Sequence, residues 1–376
     1  MIILKERGFM SRLEPCLLLS LYTPKDEVDP DERTDEMTAL IETRGGQVAE
    51  LFTQKREHPD PGLYFGQGKI EEIRRYLENF EEITTVIVDA YLSPVQQRNL
   101  EEQFGRTVMD REELILEIFA RHARTREARL QVELAELEYL LPRLRNLWPH
   151  LTGQQGGFNF RGPGETQLET DRRAITRRIA ALKKKLIHIE KIRQTQRKGR
   201  ASAFKVSIVG YTNAGKSSLL SLLSGKALYV EDKLFATLDT TVKKVFFPQA
   251  GEVLLSDTVG FIRNLPHHLV ASFKSTLEEL LYSDLIMEVV DIASPSYRQK
   301  MDVVTQVLTE LGAGDKPRMT VFNKCDLLDR EALDSVREQY KGRDDTLFIS
   351  VLNRENIDLL KEQLALRAQT SSHDSH

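Results

Sequence analysis

The spacing of apolar positions along the chain changes twice. Over residues 12–110, short runs rich in Leu, Val and Ile at 16–21, 47–52, 85–89 and 107–110 alternate with amphipathic stretches near 35–44, 69–79 and 93–104. Short apolar runs bounded by polar turns read as buried strands, and stretches with a period near 3.6 read as helices. A small α/β domain is therefore expected over residues 1–112. Within it Gly66-Gln67-Gly68-Lys69 opens a helix whose first amides could hold an anion. Without a third glycine at the right spacing, a plain turn is the favoured reading.

Beyond residue 113 the period lengthens. Leu130, Leu134, Leu137, Leu141, Leu144 and Trp148 follow steps of four and three, while Leu168, Ile175, Leu182 and Ile189 recur every seventh residue with Ile179 and Leu186 between them. This spacing predicts two long paired helices, an antiparallel arm over 113–200. The first, over 114–148, spans about 50 Å at ~1.5 Å per residue, with Pro142 placed to kink it. Between the helices the stretch 153–164 carries five glycines together with Phe158, Phe160 and Arg161. Glycine at that density opposes a helix, so a tip loop is expected. Aromatic rings beside arginine suit stacking on unpaired RNA bases, and packing of both rings onto the helix ends is the equal alternative. Arg172 and Arg173 follow as further candidate RNA contacts. Residues 193–202 read as a polar linker.

Strand-like runs return at 204–209, 253–255, 319–322 and 346–349, and three of them end in motifs with a chemical purpose. The first runs into Gly210-Tyr211-Thr212-Asn213-Ala214-Gly215-Lys216-Ser217-Ser218, followed by a helical stretch. This is the strand, loop and helix context of a phosphate-binding P-loop: backbone amides cradle the phosphates, Lys216 supplies charge and Ser217 offers a hydroxyl to Mg²⁺. Asp257 and Gly260, in Asp257-Thr258-Val259-Gly260, stand where a metal-linked carboxylate and a γ-phosphate amide belong. Asn323-Lys324-Cys325-Asp326 selects the base. A carboxylate at Asp326 accepts two hydrogen bonds from guanine, whereas adenine would leave it unpaired. Ser350-Val351 stands where a Ser-Ala backbone usually supports the base. Thr237, in Phe235-Ala236-Thr237-Leu238-Asp239-Thr240-Thr241, is favoured over Thr240 and Thr241 to reach Mg²⁺ and the γ-phosphate. Lys216, Thr237 and Gly260 form the candidate catalytic set, and Ser217, Thr237 and Asp257 the metal set. The domain over 201–369 is expected to hold a mostly parallel six-stranded sheet, with 370–376 a polar tail.

Phe261 follows Gly260 where a water-orienting glutamine would stand, so slow intrinsic hydrolysis is expected. An activating group must then come from a partner, the first choice, or from K⁺ held through Asn213. The apolar pair Phe261-Ile262 reads as a partner-binding element of a moving loop.

Composition narrows the setting. The chain has 376 residues, 40% hydrophobic and 29% charged, a balance that excludes a wholly disordered chain and favours two or three domains. Cys16 and Cys325 lie too far apart in unrelated patterns for a disulfide framework or zinc spacing. No apolar run approaches the roughly 20 residues of a membrane span, so a cytoplasmic protein is expected, with membrane association only through a bound particle. The net charge of −4 hides an asymmetry: residues 121–200 hold 19 Lys and Arg against 8 Asp and Glu, a local +11 that leaves −15 elsewhere. Such a division fits a polyanionic partner met by one face, and a solvated Arg-rich helix pair is the plain alternative.

Together these strings resemble the HflX family of ribosome-associated P-loop GTPases over nearly the whole chain. Besides the nucleotide motifs, Leu92-Ser93-Pro94-Val95-Gln96-Gln97-Arg98-Asn99-Leu100, Asp110-Arg111, Gln131-Val132-Glu133-Leu134-Ala135 and the stretch from Arg161-Gly162-Pro163-Gly164-Glu165 to Asp171-Arg172-Arg173 carry the resemblance. It implies a GTP hydrolase that docks on the large ribosomal subunit and its rRNA, inserts its arm near the peptidyl-transferase region and splits stalled ribosomes; a cytoplasmic monomer is expected. A general RNA chaperone with the GTP site as an affinity switch is the other reading, and secondary ATP hydrolysis stays open. The chain departs from the family's usual Gly-Gly-Ile-Gly tip with Gly-Gly-Phe-Asn-Phe, and has Thr240 in place of a proline. Its polar ending predicts that the extra C-terminal domain of some relatives is absent.

Overall fold

A computed structural model describes residues 14–24, 26, 29–144, 163–198, 203–225, 234–235, 241–248, 250–263 and 278–373. The chain divides into two compact units, one formed by Met1–Ile118 with Glu136–Arg178, the other by Phe119–Ala135 with Ile179–His376.

In the first unit, β1 (Glu14–Tyr22), β2 (Gly46–Lys55), β3 (Thr85–Val88) and β4 (Thr107–Asp110) form an all-parallel sheet in the order β2-β1-β3-β4. Parallel strands need crossovers, and here α1 (Pro30–Arg44), α2 (Gln67–Asn79) and α3 (Pro94–Phe104) supply them. Central strands covered on both faces must be apolar nearly throughout, which is why residues 16–19 and 86–88 read as unbroken hydrophobic runs. Leu17, Leu19, Val86 and Val88 join Ile70, Ile73, Leu100 and Phe104 in one core. Asp29 caps α1, and Ser93 with Gln96 forms a reciprocal capping box on α3 behind Pro94. At the start of α2 the Gly66 amide donates to Gln54 Oε1 at 2.8 Å, so that end of the helix is partly satisfied internally.

Buried charge closes this unit. Asp89, just past β3, accepts from Arg111 Nη1 at 2.7 Å and from Arg33 Nε at 2.5 Å, and Arg111 also pairs with Glu36. Asp89 and Arg111 are 1% and 4% exposed. Nearby, Asp110 accepts from Arg143 Nη2 at 3.0 Å and from the Tyr139 hydroxyl at 3.2 Å.

The helices of the basic segment differ from expectation. One helix over 114–148 was predicted; α4 (Arg111–His122) and α5 (Arg126–Arg143) form instead. Thr125 restarts the chain: its Oγ1 accepts from the Ala128 amide and its carbonyl from Arg129, both at 3.1 Å. A threonine that bonds locally competes with helix continuation and favours a cap. α6 (Pro163–Lys198) is continuous over 36 residues, about 54 Å at ~1.5 Å per residue. It begins at Pro163, so Gly164, expected in the tip loop, belongs to the first turn. Of the seventh-residue seam, Leu182 is fully buried, while Ile187 and Ile192 outside it are exposed. Trp148, Phe158, Phe160 and Arg161 lie outside the described residues.

The second unit holds a six-stranded sheet in the order β10-β9-β8-β5-β7-β6, formed by β5 (Phe204–Val209), β6 (Thr241–Phe247), β7 (Gly251–Asp257), β8 (Leu285–Asp291), β9 (Arg318–Asn323) and β10 (Thr346–Phe348). All neighbours are parallel except β6 against β7, which agrees with the mostly parallel six-stranded sheet expected. α7 (Lys216–Ser224), α8 (Tyr297–Glu310), α9 (Arg330–Gln339) and α10 (Ile357–His373) complete it. Val206, Ile208, Leu255, Met287 and Val321 of the strands pack with Leu219, Leu220, Leu360 and Leu364 of α7 and α10. Among the described residues no helix is long and apolar enough to cross a membrane.

Removing Arg111 would take one of two guanidinium partners from the buried Asp89 carboxylate and leave its charge only partly compensated by Arg33, which is costlier than losing an exposed pair. Arg111→Ala is expected to destabilise the first unit by about 3–5 kcal/mol in urea unfolding, while Arg74→Ala, at an exposed i,i+4 pair, shifts it by less than about 1 kcal/mol.

Candidate nucleotide site

In open α/β sheets ligands gather at the carboxyl ends of strands. Here the loops after β5, β7, β9 and β10 carry the motifs picked out in the sequence. The P-loop joins β5 to α7, and α7 starts at Lys216 with Gly215 in the left-handed conformation at φ 92°. A side chain at 215 is excluded twice, by that φ and by Asn323 Nδ2, which stands 2.4 Å from where a Cβ would be. Asn213 is also left-handed, at φ 60°, and exposed. Lys216 is nearly buried and donates from Nζ to the Tyr211 carbonyl at 2.7 Å. Burial pulls its ammonium down to about 8, with Asp257 acting the other way. Phosphate oxygens at the start of α7 would supply the missing negative charge and meet the free amides there.

Ser217 Oγ donates to Asp257 Oδ2 at 2.6 Å, so the structure brings together two of the three predicted metal ligands. A hydroxyl and a carboxylate are hard oxygen donors of the type Mg²⁺ prefers, beside the place for its phosphate ligands. The third, Thr237, lies outside the described residues. Gly260 follows β7 by three residues; a Cβ there would lie 3.1 Å from Lys216 Nζ and 2.9 Å from Thr212 Cγ2. Only a glycine lets this amide approach the lysine and the P-loop so closely.

Phe261 is held differently from the sequence expectation. Its amide donates to the Gly210 carbonyl at 3.1 Å, its carbonyl accepts from the Thr212 amide at 2.8 Å, and its ring is 1% exposed. Ile262 is fully buried. These apolar side chains pack into the unit and are therefore no exposed docking pair for a partner. Arg263 N donates to the Tyr211 hydroxyl at 2.9 Å, extending the same seam. The signal that could have revealed it is the run of apolar residues after Gly260, which is the pattern of a buried segment.

At the base end, Asn323 Nδ2 donates to the Ala214 carbonyl at 2.9 Å, and its Oδ1 accepts from the Val351 amide at 3.0 Å. Position 351 thus contributes through its backbone, which valine leaves unchanged. Lys324 adopts φ 66° and pairs with Asp291 Oδ2 at 2.7 Å. Asp326 Oδ1 accepts from Ser350 Oγ at 2.5 Å, while its side chain stays partly open to the base position. Ser350 in turn accepts from the Asn353 amide at 3.0 Å. Cys325 is buried, which pushes its thiol up to about 11 and leaves it unreactive at neutral pH.

A P-loop before a helix, an Asp-x-x-Gly turn on the neighbouring strand and an Asn-Lys-x-Asp loop beyond define a GTP-hydrolysing P-loop protein. Comparison with known proteins assigns the family. Residues 31–120 match the model of the GTP-binding GTPase N-terminal region, residues 122–200 that of the GTP-binding GTPase middle region, and residues 205–324 that of the 50S ribosome-binding GTPase. The chain is 47% identical over 350 residues to GTPase HflX of Caldanaerobacter subterraneus subsp. tengcongensis, covering 93% of this chain and 79% of that protein. It is 44% identical to GTPase HflX of Flavobacterium psychrophilum, over 93% of this chain and 89% of that one, and 42% identical to GTPase HflX of Escherichia coli, over 84% and 74%. A crystal structure of a complex of SsGBP and GDP matches 95% of this chain and 99% of its own at 28% identity, with a TM-score of 0.52. This chain belongs to the HflX family and is a ribosome-associated GTPase.

Two outcomes follow from the site. With Lys216 near 8 in the free protein and fully charged against phosphates, GTP binding at pH 8.5 is expected to take up roughly three-quarters of a proton, against about a tenth at pH 7. Calorimetry in buffers of different ionisation enthalpy reads this directly. Gly260→Ala is expected to leave GDP affinity within about twofold but to lower GTP turnover at least ~10-fold, because the added methyl displaces the γ-phosphate amide.

Proposed function

We propose that this chain binds the large ribosomal subunit through rRNA and uses GTP to separate the subunits of stalled ribosomes. The observation that carries the reading is one chain joining a guanine-type nucleotide site to a 36-residue helix whose Arg172, Arg173, Arg177, Lys184 and Lys185 are exposed. Cationic side chains along a helix contact phosphates without reading sequence, as a rigid RNA surface requires. Arg173 spends part of its charge on Glu169 at 2.6 Å, an exposed pair that phosphate can displace. The working division is 1–112, the arm over 113–200 with its tip, and the GTP domain over 201–369.

In this reading Gly210 to Ser218 bind the phosphates, Asp326 selects guanine, and Ser350 and Val351 support the base loop. Ser217, Asp257 and Thr237 would hold Mg²⁺, which neutralises charge developing on the phosphates when bound. Phe261 turns inward, so the chain supplies no side chain at that position to orient water. Activation then comes from the ribosome, the first choice, or from K⁺ beside the exposed Asn213.

Turnover by the full chain is expected to rise at least ~10-fold on adding large subunits. Charge reversal of Arg172 and Arg173 to Glu should remove most of that rise and leave unstimulated turnover intact. No stimulation by large subunits, together with tight binding of unstructured RNA that survives Lys216→Ala, would instead support the RNA-chaperone reading. Asp326→Asn should weaken GTP by about 100-fold or more while xanthosine triphosphate binds, because the exchanged donor and acceptor restore complementarity.

A further inference from the structure

One buried acid of the second unit takes no part in the nucleotide chemistry described above. Glu288 lies on β8, in register with Val209 of β5 and Thr320 of β9, and is 1% exposed. Its Oε2 meets Arg318 Nη1 only at 3.5 Å, and that nitrogen lies closer to Thr305 Oγ1, at 2.9 Å. Its Oε1 is buried without a hydrogen-bond partner. Glu288 lines a cavity of about 30 Å³ together with Tyr211, Thr212, Asp291, Tyr297 and Lys300. Thr212 Oγ1 is likewise buried without a partner. Two orphaned polar atoms therefore belong to residues lining one small cavity with room for a water molecule or two.

The other lining charges are engaged. Asp291 holds Lys324, and Lys300 donates to Ser294 Oγ at 2.7 Å. Thr212 faces the cavity on one side and the turn carrying Gly260 and Phe261 on the other. Its methyl lies 2.9 Å from where a Cβ on Gly260 would be, and its amide holds the Phe261 carbonyl. Whatever moves Thr212 moves the γ-phosphate turn.

We propose that Glu288 is a positioning residue of the GTPase cycle, acting through a water in this cavity on Thr212 Oγ1 and thereby on the setting of Gly260. The ionised carboxylate draws the water and the Thr212 hydroxyl into charge-assisted bonds and steadies the P-loop; the protonated form releases them. Burial pushes the Glu288 carboxyl up to about 7, with Arg318 of β9 opposing and Asp302 of α8 adding to the rise. Lys300 and Tyr297 of α8, Tyr211 of the P-loop and Asp291 at the end of β8 are the other titratable groups lining the cavity. The charge change thus falls in the neutral range, and turnover is the quantity it adjusts.

The inference rests on the GTP site but not on the ribosomal proposal, so the test uses the full chain alone, in excess over Mg·GTP and concentrated enough to bind all of it. Single-turnover hydrolysis measured from pH 5.8 to 7.8 is expected to rise severalfold with an inflection near 7. Glu288→Gln, which keeps the shape of the protonated form, should abolish the inflection and stay near the low-pH rate. Glu288→Asp should retain an inflection. Thermal melts separate this from a merely structural role. A raised carboxyl makes the folded state bind more protons, so its stabilising contribution is full below about 4.5 and is lost as pH rises through 7; Glu288→Gln should remove that loss. Thr212→Val should keep the pH-dependent melting but lose the inflection in rate, because only the hydroxyl link is cut. An inflection that survives in either Glu288→Gln or Thr212→Val would overturn the proposal.

Discussion

The nucleotide site depends on one buried carboxamide. Asn323 gives its amide hydrogen to the P-loop carbonyl of Ala214 and takes one from the Val351 amide, so a single side chain registers the loops after β5, β9 and β10. Only an amide offers both a donor and an acceptor at that spacing; a carboxylate would repel the Ala214 carbonyl, and an apolar side chain would leave two buried backbone groups unpaired. The distance between the phosphate cradle and the base-reading Asp326 is therefore set by covalent geometry before any nucleotide arrives. Gly215 is part of the same constraint, because the carboxamide occupies the place of its missing side chain.

The two units use buried charge in opposite ways. Around Asp89 the first unit matches Arg33 and Arg111 against Asp89 and Glu36, so the charges are neutralised within the fold and hold α1 and α4 to the end of β3. The second unit leaves charge uncompensated where chemistry is needed. Lys216 is buried at a helix start, where it donates to the Tyr211 carbonyl; loss of water depresses its ammonium against the pull of Asp257, and the same loss pushes the Glu288 carboxyl up. Such a site is costly when empty and favourable when an anion enters.

Phe261 offers no water-orienting group to the γ-phosphate turn. Its backbone forms a short parallel bridge with Tyr211, and its ring is committed to the interior, so the γ-phosphate turn is tied to the P-loop through main-chain bonds. That seam makes the turn a sensor of P-loop position rather than a source of catalytic side chains. An outside activator fits this arrangement, and the apolar pair once expected to greet a partner serves to anchor the turn instead.

Linear spacing by itself determined the order of elements in the first unit, four of the six strands of the second, the strand-end placement of the three nucleotide motifs and the family resemblance. Periodicity and local motifs are properties of neighbours in the chain, and β4 and β5 appear at the residues where the apolar runs predict them. The break at Thr125 escaped that reading because it rests on one local capping bond and lies ahead of Leu130, where the regular spacing begins. The strings Leu92 to Leu100 and Asp110-Arg111 carried the resemblance, yet their roles come from tertiary contacts: Gln96 and Asn99 reach the carbonyls of Asp60 and Gly62, and Arg111 reaches Asp89. Glu288 was invisible for the same reason. A lone acid in an apolar strand has no spacing to announce it, and its meaning arises only when folding removes its water and places it with Thr212 in the lining of one small cavity.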